Sequence, residues 1–226
     1  MPANNAQTHA DLGSKSLSAK PHSQWHDQAF WHSTSIPNIT LFRLASVAGL
    51  WSALILLVNA AKRSSLIPTT DLTQLLAPFA EILALGLILG LFLAFGRRTG
   101  LFGIFAFVAN FAALASLEGV EVVINLVFSK LPPETISELR AGPLGLLLVA
   151  SSLLFLFGTL AFAISLAVDG RVPRLPLAMY FIGAVPIALR AFVPELTLDL
   201  GLVTLASAIA WLAGWLWVSA SDTESR

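Results

Sequence analysis

The chain contains no cysteine, which excludes structural disulfides, thiolate nucleophiles, iron–sulfur clusters and thiolate metal sites. Charge is also scarce: Asp, Glu, Lys and Arg make up 12% of the 226 residues, against about 25% in soluble domains. The 13 basic and 13 acidic residues cancel, so no net field steers the chain toward nucleic acid, and no nucleic-acid partner is expected. The long apolar runs contain no His and no Lys. That removes the residues needed by His-Asp zinc hydrolases, Ser-His intramembrane proteases, retinal Schiff bases and haem-bearing helices. No Walker, G-x-G-x-x-G or G-x-S-x-G pattern stands in a strand–turn–helix setting. Hence no catalytic residue, metal ligand or cofactor is assigned.

What is present is apolar: 56% of residues are hydrophobic. The pattern predicts an all-α polytopic membrane protein with six spans, at about residues 41–61, 75–96, 101–128, 144–168, 175–193 and 197–219. Residues 1–40 read as a disordered cytoplasmic tail without the apolar core of a secretory signal, and 220–226 as a second, short tail. The first tail carries Trp25-His26 and Trp31-His32, with His22 one helical turn before His26. A metal or haem site would need a third ligand at a known spacing, so the tryptophans are read as resting at headgroup level.

The third run is long enough to cross a bilayer yet carries Asn110, Glu118, Glu121 and Asn125, which at ~100° per residue fall within an arc of about 80°. Such a stripe should face other helices or a wet cavity. Elsewhere, Ala45, Gly49 and Ala53 form a small-residue face on the first span and Gly86 and Gly90 another on the second. Both suit close helix contact, within one chain or between chains. Pro186 is expected to kink the fifth span one turn before Arg190. Ser151, Ser152, Thr159 and Ser165 of the fourth span are expected to bond back to their own helix.

Six spans put both termini on one side. Arg43, Arg97, Arg98, Arg171 and Arg174 flank the spans there, against Lys62, Arg63, Lys130 and Arg140 on the other, which favours cytoplasmic termini. Lys62-Arg63 is expected to snorkel at the outer boundary. At ~1.5 Å per residue, Glu81, Glu118, Glu121, Arg190, Asn59 and Asn125 reach one level in the outer half of the bilayer, in either orientation. One cation among three carboxylates leaves excess negative charge, so one carboxyl should hold a proton, and Glu118 is the deepest.

Gly170-Arg171-Val172-Pro173-Arg174, followed by two apolar helices with a Trp-rich edge at Trp211, Trp215 and Trp217, resembles a turn in several families of bacterial five- to seven-span membrane proteins of unknown function. That resemblance implies a fold and a membrane location and no activity. The expected function is therefore drawn from the residues: a small proton- or cation-linked transporter or membrane sensor using Glu81, Glu118, Glu121 and Arg190 with Asn110 and Asn125. The alternative is a structural or accessory subunit whose Glu–Arg pairs only hold helices together. A lipid-modifying enzyme, with Arg190 anchoring a phosphate or carboxylate head, ranks below both. The expected partners are the lipid bilayer and either a second copy or another membrane subunit.

Overall fold

In the structure, a computed structural model, residues 38–224 are described, with side chains for 39–221. The tail reading, including the Trp-His pairs, lies outside them up to residue 37. The described chain is helical throughout: α1 Asn38–Arg63, α2 Asp71–Ala94, α3 Gly100–Val122, α4 Pro133–Ala141, α5 Pro143–Asp169, α6 Arg174–Ala188 and α7 Glu195–Glu224. Five helical stretches are long and apolar enough to cross a membrane: Ile39–Arg63, Asp71–Ala94, Gly96–Lys130, Pro143–Asp169 and Glu195–Ser221. Phe105, Leu146, Phe157 and other large apolar side chains stand exposed on their outward faces, as a lipid-facing surface requires.

Local chemistry sets several of the boundaries. Thr70 caps α2: the Thr73 backbone N–H donates to Thr70 Oγ1 at 3.2 Å and the Thr70 N–H to Thr73 Oγ1 at 2.9 Å, a reciprocal pair that starts the helix four residues before the expected span. Gly170 ends α5 in the left-handed region at φ +77°, where a side chain would be strained. Past Val122 the third span continues as a π-helical turn, Val123–Val127, and a 3-10 turn, Phe128–Lys130. The last helix runs to Glu224, so most of the expected short tail is helical.

The fifth expected span is shorter than the sequence suggested. Helix α6 has 15 residues, about 22 Å at 1.5 Å per residue, and the chain leaves it as irregular turns from Leu189 to Val193. Pro186 therefore stands in the last turn of a helix that ends and does not kink one that continues.

Each long helix packs mainly on its neighbours in sequence: α1 on α2, α2 on α3, α3 on α5, α5 on α6 and α6 on α7, with α7 closing back on α1. The bundle is thus a ring of six helices, with the small α4 against α5. Small residues set the closest approaches. A Cβ at Gly90 would lie 2.5 Å from the Ala45 Cβ and 3.0 Å from Leu216, and one at Gly49 would lie 2.8 Å from Leu87. The two small-residue faces meet each other inside the chain. Gly183 and Gly201 do the same between α6 and α7, where a Cβ on Gly183 would meet the Leu205 backbone N at 2.5 Å.

Gly90→Leu should therefore force α1 and α2 apart and lower the melting temperature in detergent, at a cost of about 1–3 kcal/mol or more. Gly214→Ala, where a Cβ meets nothing within 4 Å, should melt like wild type. Equal melting of Gly90→Leu and wild type would refute the close packing.

Candidate functional site

A small cavity lies on the axis of the ring. Its wall takes residues from all six long helices, among them Ser52 and Asn59 of α1, Glu81 of α2, Glu121 of α3, Phe155 of α5, Tyr180 of α6 and Leu202 of α7. It offers water centres about 20 Å³ and adjoins a second space of about 30 Å³ beside Arg63, Asn125, Arg190 and Leu198. Asn59, Glu121, Ile187 and Leu202 line both. Each has room for one or two waters and no larger solute.

Glu121 is the most fully engaged group. Its Oε1 accepts from Arg190 Nη1 at 2.7 Å, and its Oε2 accepts from Asn125 Nδ2 at 2.8 Å. Asn125 Oδ1 in turn accepts from Lys62 Nζ at 2.8 Å. A chain of polar contacts thus runs from Lys62 through Asn125 and Glu121 to Arg190. The π-helical turn makes this possible: its extra residue per turn re-aims Asn125 so that one amide bridges a cation and a carboxylate. At the rim, Arg63 pairs with Glu195 and lies 3.4 Å from Asp199, tying the end of α1 to the start of α7.

Glu81 has a different environment. Its side chain is buried, 7% exposed, and its Oε2 is enclosed without a hydrogen-bond partner. It shares the cavity wall with Glu121, while Ser52 beside it donates to the Ala80 carbonyl at 2.8 Å. Of the six candidate residues, Glu81, Glu121, Asn125 and Arg190 come together around the two spaces.

The other two do not join them directly. Glu118 is half-buried and lines neither space. The reason is angular: Ala106, Ala113, Leu117 and Val120 are buried on the far side of Asn110, so the inward arc is centred near Asn110 and Glu118 falls at its edge, about 80° away. Asn110 is fully buried in a separate knot, where its Nδ2 donates to Tyr180 Oη at 3.1 Å and its Oδ1 accepts from Thr159 Oγ1 at 3.3 Å. Tyr180 connects the two regions, because it also lines the axial cavity.

Three features escaped the sequence. Lys62 does not reach out to the boundary; it is 9% exposed and bonded to Asn125. A second cation therefore faces the carboxylates. Thr159 and Ser165 make contacts between helices, Thr159 to Asn110 and Ser165 to Thr99 Oγ1 at 3.0 Å, whereas Ser152 bonds back to Leu148 as expected. Tyr180 had no flag at all, although a lone tyrosine within an apolar helix needs a polar partner when buried.

Among the described residues, no three His, Asp or Glu side chains converge as a metal site would need. Comparison with models of known families, with curated proteins and with solved structures finds no match for this chain. The resemblance of the 170–174 turn gains no support from them, and the site is interpreted from its own geometry.

Removing one member of the Glu121–Arg190 pair leaves a buried charge without its partner, so Glu121→Gln and Arg190→Gln should each destabilise the protein by roughly 3 kcal/mol. The double variant should recover part of that loss, with a coupling of about 1–3 kcal/mol in detergent melts. Strictly additive losses would mean that the pair does not hold the bundle.

Proposed function

We propose that this chain is a six-helix protein of the cell (plasma or inner) membrane with both termini cytoplasmic, and that it works as a proton-linked transporter or sensor with Glu81 as the group that changes charge. The observation that carries this reading is the enclosed, unpartnered Oε2 of Glu81 beside a Glu121 whose two oxygens are both bonded. An oxygen so placed has no hydrogen-bond donor, and in the proposed mechanism a proton on this carboxyl relieves the burial penalty. The cavity volume favours a proton over a solute, since one or two waters fill it.

Six crossings follow if α6 and the turns after it together traverse the bundle. Arg171, just before α6, donates to the carbonyl of Ala94 at the end of α2, and Arg190, just after it, pairs with Glu121 near the other end of α3. A 15-residue helix plus irregular backbone held by that pair suffices where the segment is enclosed by protein. The arginines near the Ala94 end then supply the cytoplasmic bias. Reporter fusions at Ser64, Gly100, Gly170 and Arg226 test this. Cytoplasmic signals are expected at all but Ser64, and an external signal at Gly100 or Arg226 would overturn the orientation.

The second reading is a structural subunit in which the charges serve only as a clasp. It is favoured by the saturated bonding of Glu121, and it gives Glu81 no task. Infrared difference titration separates the two. In the proton-linked reading wild type shows a pH-dependent carboxyl band that disappears in Glu81→Gln and persists in Glu118→Gln. A wild type whose pH-dependent carboxyl bands all survive in Glu81→Gln would leave the clasp as the better account.

A further inference from the structure

At the opposite end of the ring from the carboxylate cavity, a groove of about 720 Å³ opens between the start of α1, the end of α2, the α5–α6 turn and the last turns of α7. Phe42, Leu93, Phe95, Leu216 and Val218 form its apolar wall, and Arg171, Trp215 and Ser219 supply its polar groups. We propose that this groove binds an anionic phospholipid, with the phosphate at Arg171 and Trp215 and the upper acyl chain along the apolar wall.

The arginine is positioned in advance. Its Nε and Nη2 donate to the Asp169 carboxylate at 2.8 and 3.2 Å, Nη2 also reaches the Ala94 carbonyl at 3.2 Å, and the guanidinium lies 4.9 Å from the Phe95 ring centroid. These contacts fix the plane of the group. Its Nη1 makes no hydrogen bond to a described residue, and so two N–H donors stay available to a phosphate oxygen.

The tryptophan gives an independent sign. Its indole Nε1 is enclosed and has no acceptor among the described residues, although a buried indole N–H ordinarily finds one. An acceptor oxygen from a headgroup in the groove would meet that need.

The charge of this end selects the class of lipid. Arg171 lines the groove, Arg43, Arg97, Arg98 and Arg174 stand at the same end of the helices, and Asp169 is the only acidic side chain described there. A basic pocket between helices at the headgroup level attracts anionic over zwitterionic lipid. Free phosphate would use the same donors but leave the apolar wall uncovered, and the volume lies in the range of pockets that enclose a substantial ligand.

Native mass spectrometry on the full chain, released from nanodiscs with equal phosphatidylglycerol and phosphatidylcholine of matched acyl chains, tests the proposal. Wild type should retain phosphatidylglycerol in preference. Arg171→Ala should reduce that retention roughly tenfold and Trp215→Phe several-fold, while Arg140→Ala at the other end should leave it unchanged. Equal retention of the two lipids by wild type would mean ordinary boundary lipid and overturn the proposal. Unchanged phosphatidylglycerol in both groove variants would overturn it as well. Because Arg171 also caps α2, its loss can impair folding; Trp215→Phe keeps the ring and the apolar wall, and its result then decides alone.

Discussion

The ion pair between Glu121 and Arg190, 2.7 Å apart, carries the least regular part of the bundle. Backbone that leaves a helix at membrane depth exposes carbonyl and amide groups that hydrocarbon cannot satisfy, and it persists only where protein or water surrounds it. Helix α6 ends at Ala188, where Leu189 turns out of helical geometry at φ −97° and ψ 20°. The residues that follow, through Val193, have no helical ladder of their own. Arg190 belongs to this segment, and its bond to α3 fixes it against the ring. The pair thus does more than neutralise charge: it holds the chain that leaves a 15-residue helix against α3 on its way to Glu195, where Arg63 receives it.

Four charged groups stand closest to this pair's spaces, with Arg63, held by Glu195 and Asp199, at the rim. Lys62 and Arg190 face Glu121 and Glu81, a balance that is zero when all four are ionised. Only three of them are connected by hydrogen bonds, through Asn125. In the proposed mechanism that asymmetry selects the responsive group: Arg190 and Asn125 both donate to the Glu121 carboxylate, whereas a proton on Glu81 displaces none of those contacts. The clasp and the proton site are then two functions of neighbouring residues, and the double-variant cycle at Glu121 and Arg190 tests the first without touching the second.

Much of this organisation was legible in the sequence. Apolar runs of spanning length gave five of the long helical stretches within a few residues, and the Ala45/Gly49 and Gly86/Gly90 faces marked where α1 and α2 meet. Counting residues along each run placed Glu81, Glu121, Asn125 and Arg190 at one level, which the cavity geometry matches. Rotation was harder than depth. Polar residues located a stripe on α3, but the inward direction is set by where the small and apolar residues are buried, and those lie to the side of Asn110 away from Glu118. Hence Glu118 sits at the margin and Glu81, a single acid on its helix, holds the enclosed position. Partners across helices were likewise out of reach: the hydroxyls of Thr159 and Ser152 look alike in the sequence, yet one points at Asn110 and the other at its own backbone. Lys62 could snorkel outward or turn inward, and only the neighbouring π-helical turn, which brings Asn125 to it, decides between them.

The same geometry bears on whether a proton-linked protein of this shape moves a proton across or only senses one. Polar residues line the two spaces from Arg63 past Arg190 and Glu121 to Glu81 and Tyr180, and Tyr180 bonds to Asn110, which accepts from Thr159. Beyond that point Leu87, Ile88 and Leu91 of α2, Phe162 and Leu166 of α5 and Leu212 and Leu216 of α7 are all at most 3% exposed. The next polar pair is Thr99 with Ser165, more than one helical turn past Thr159 on α5. Seven close-packed apolar side chains separate the two polar regions, so in the proposed mechanism a proton that reaches Glu81 in this conformation returns to the side it came from. Transport would need that layer to part, and the tight glycine contacts at Gly90 against Ala45 and Gly183 against Leu205 resist sliding of α2 and α6. Sensing needs less, only that a charge on Glu81 alter how firmly Glu121 holds Arg190 and the irregular segment behind it. Of the two proton-linked roles, a sensor therefore fits this arrangement with the smaller rearrangement.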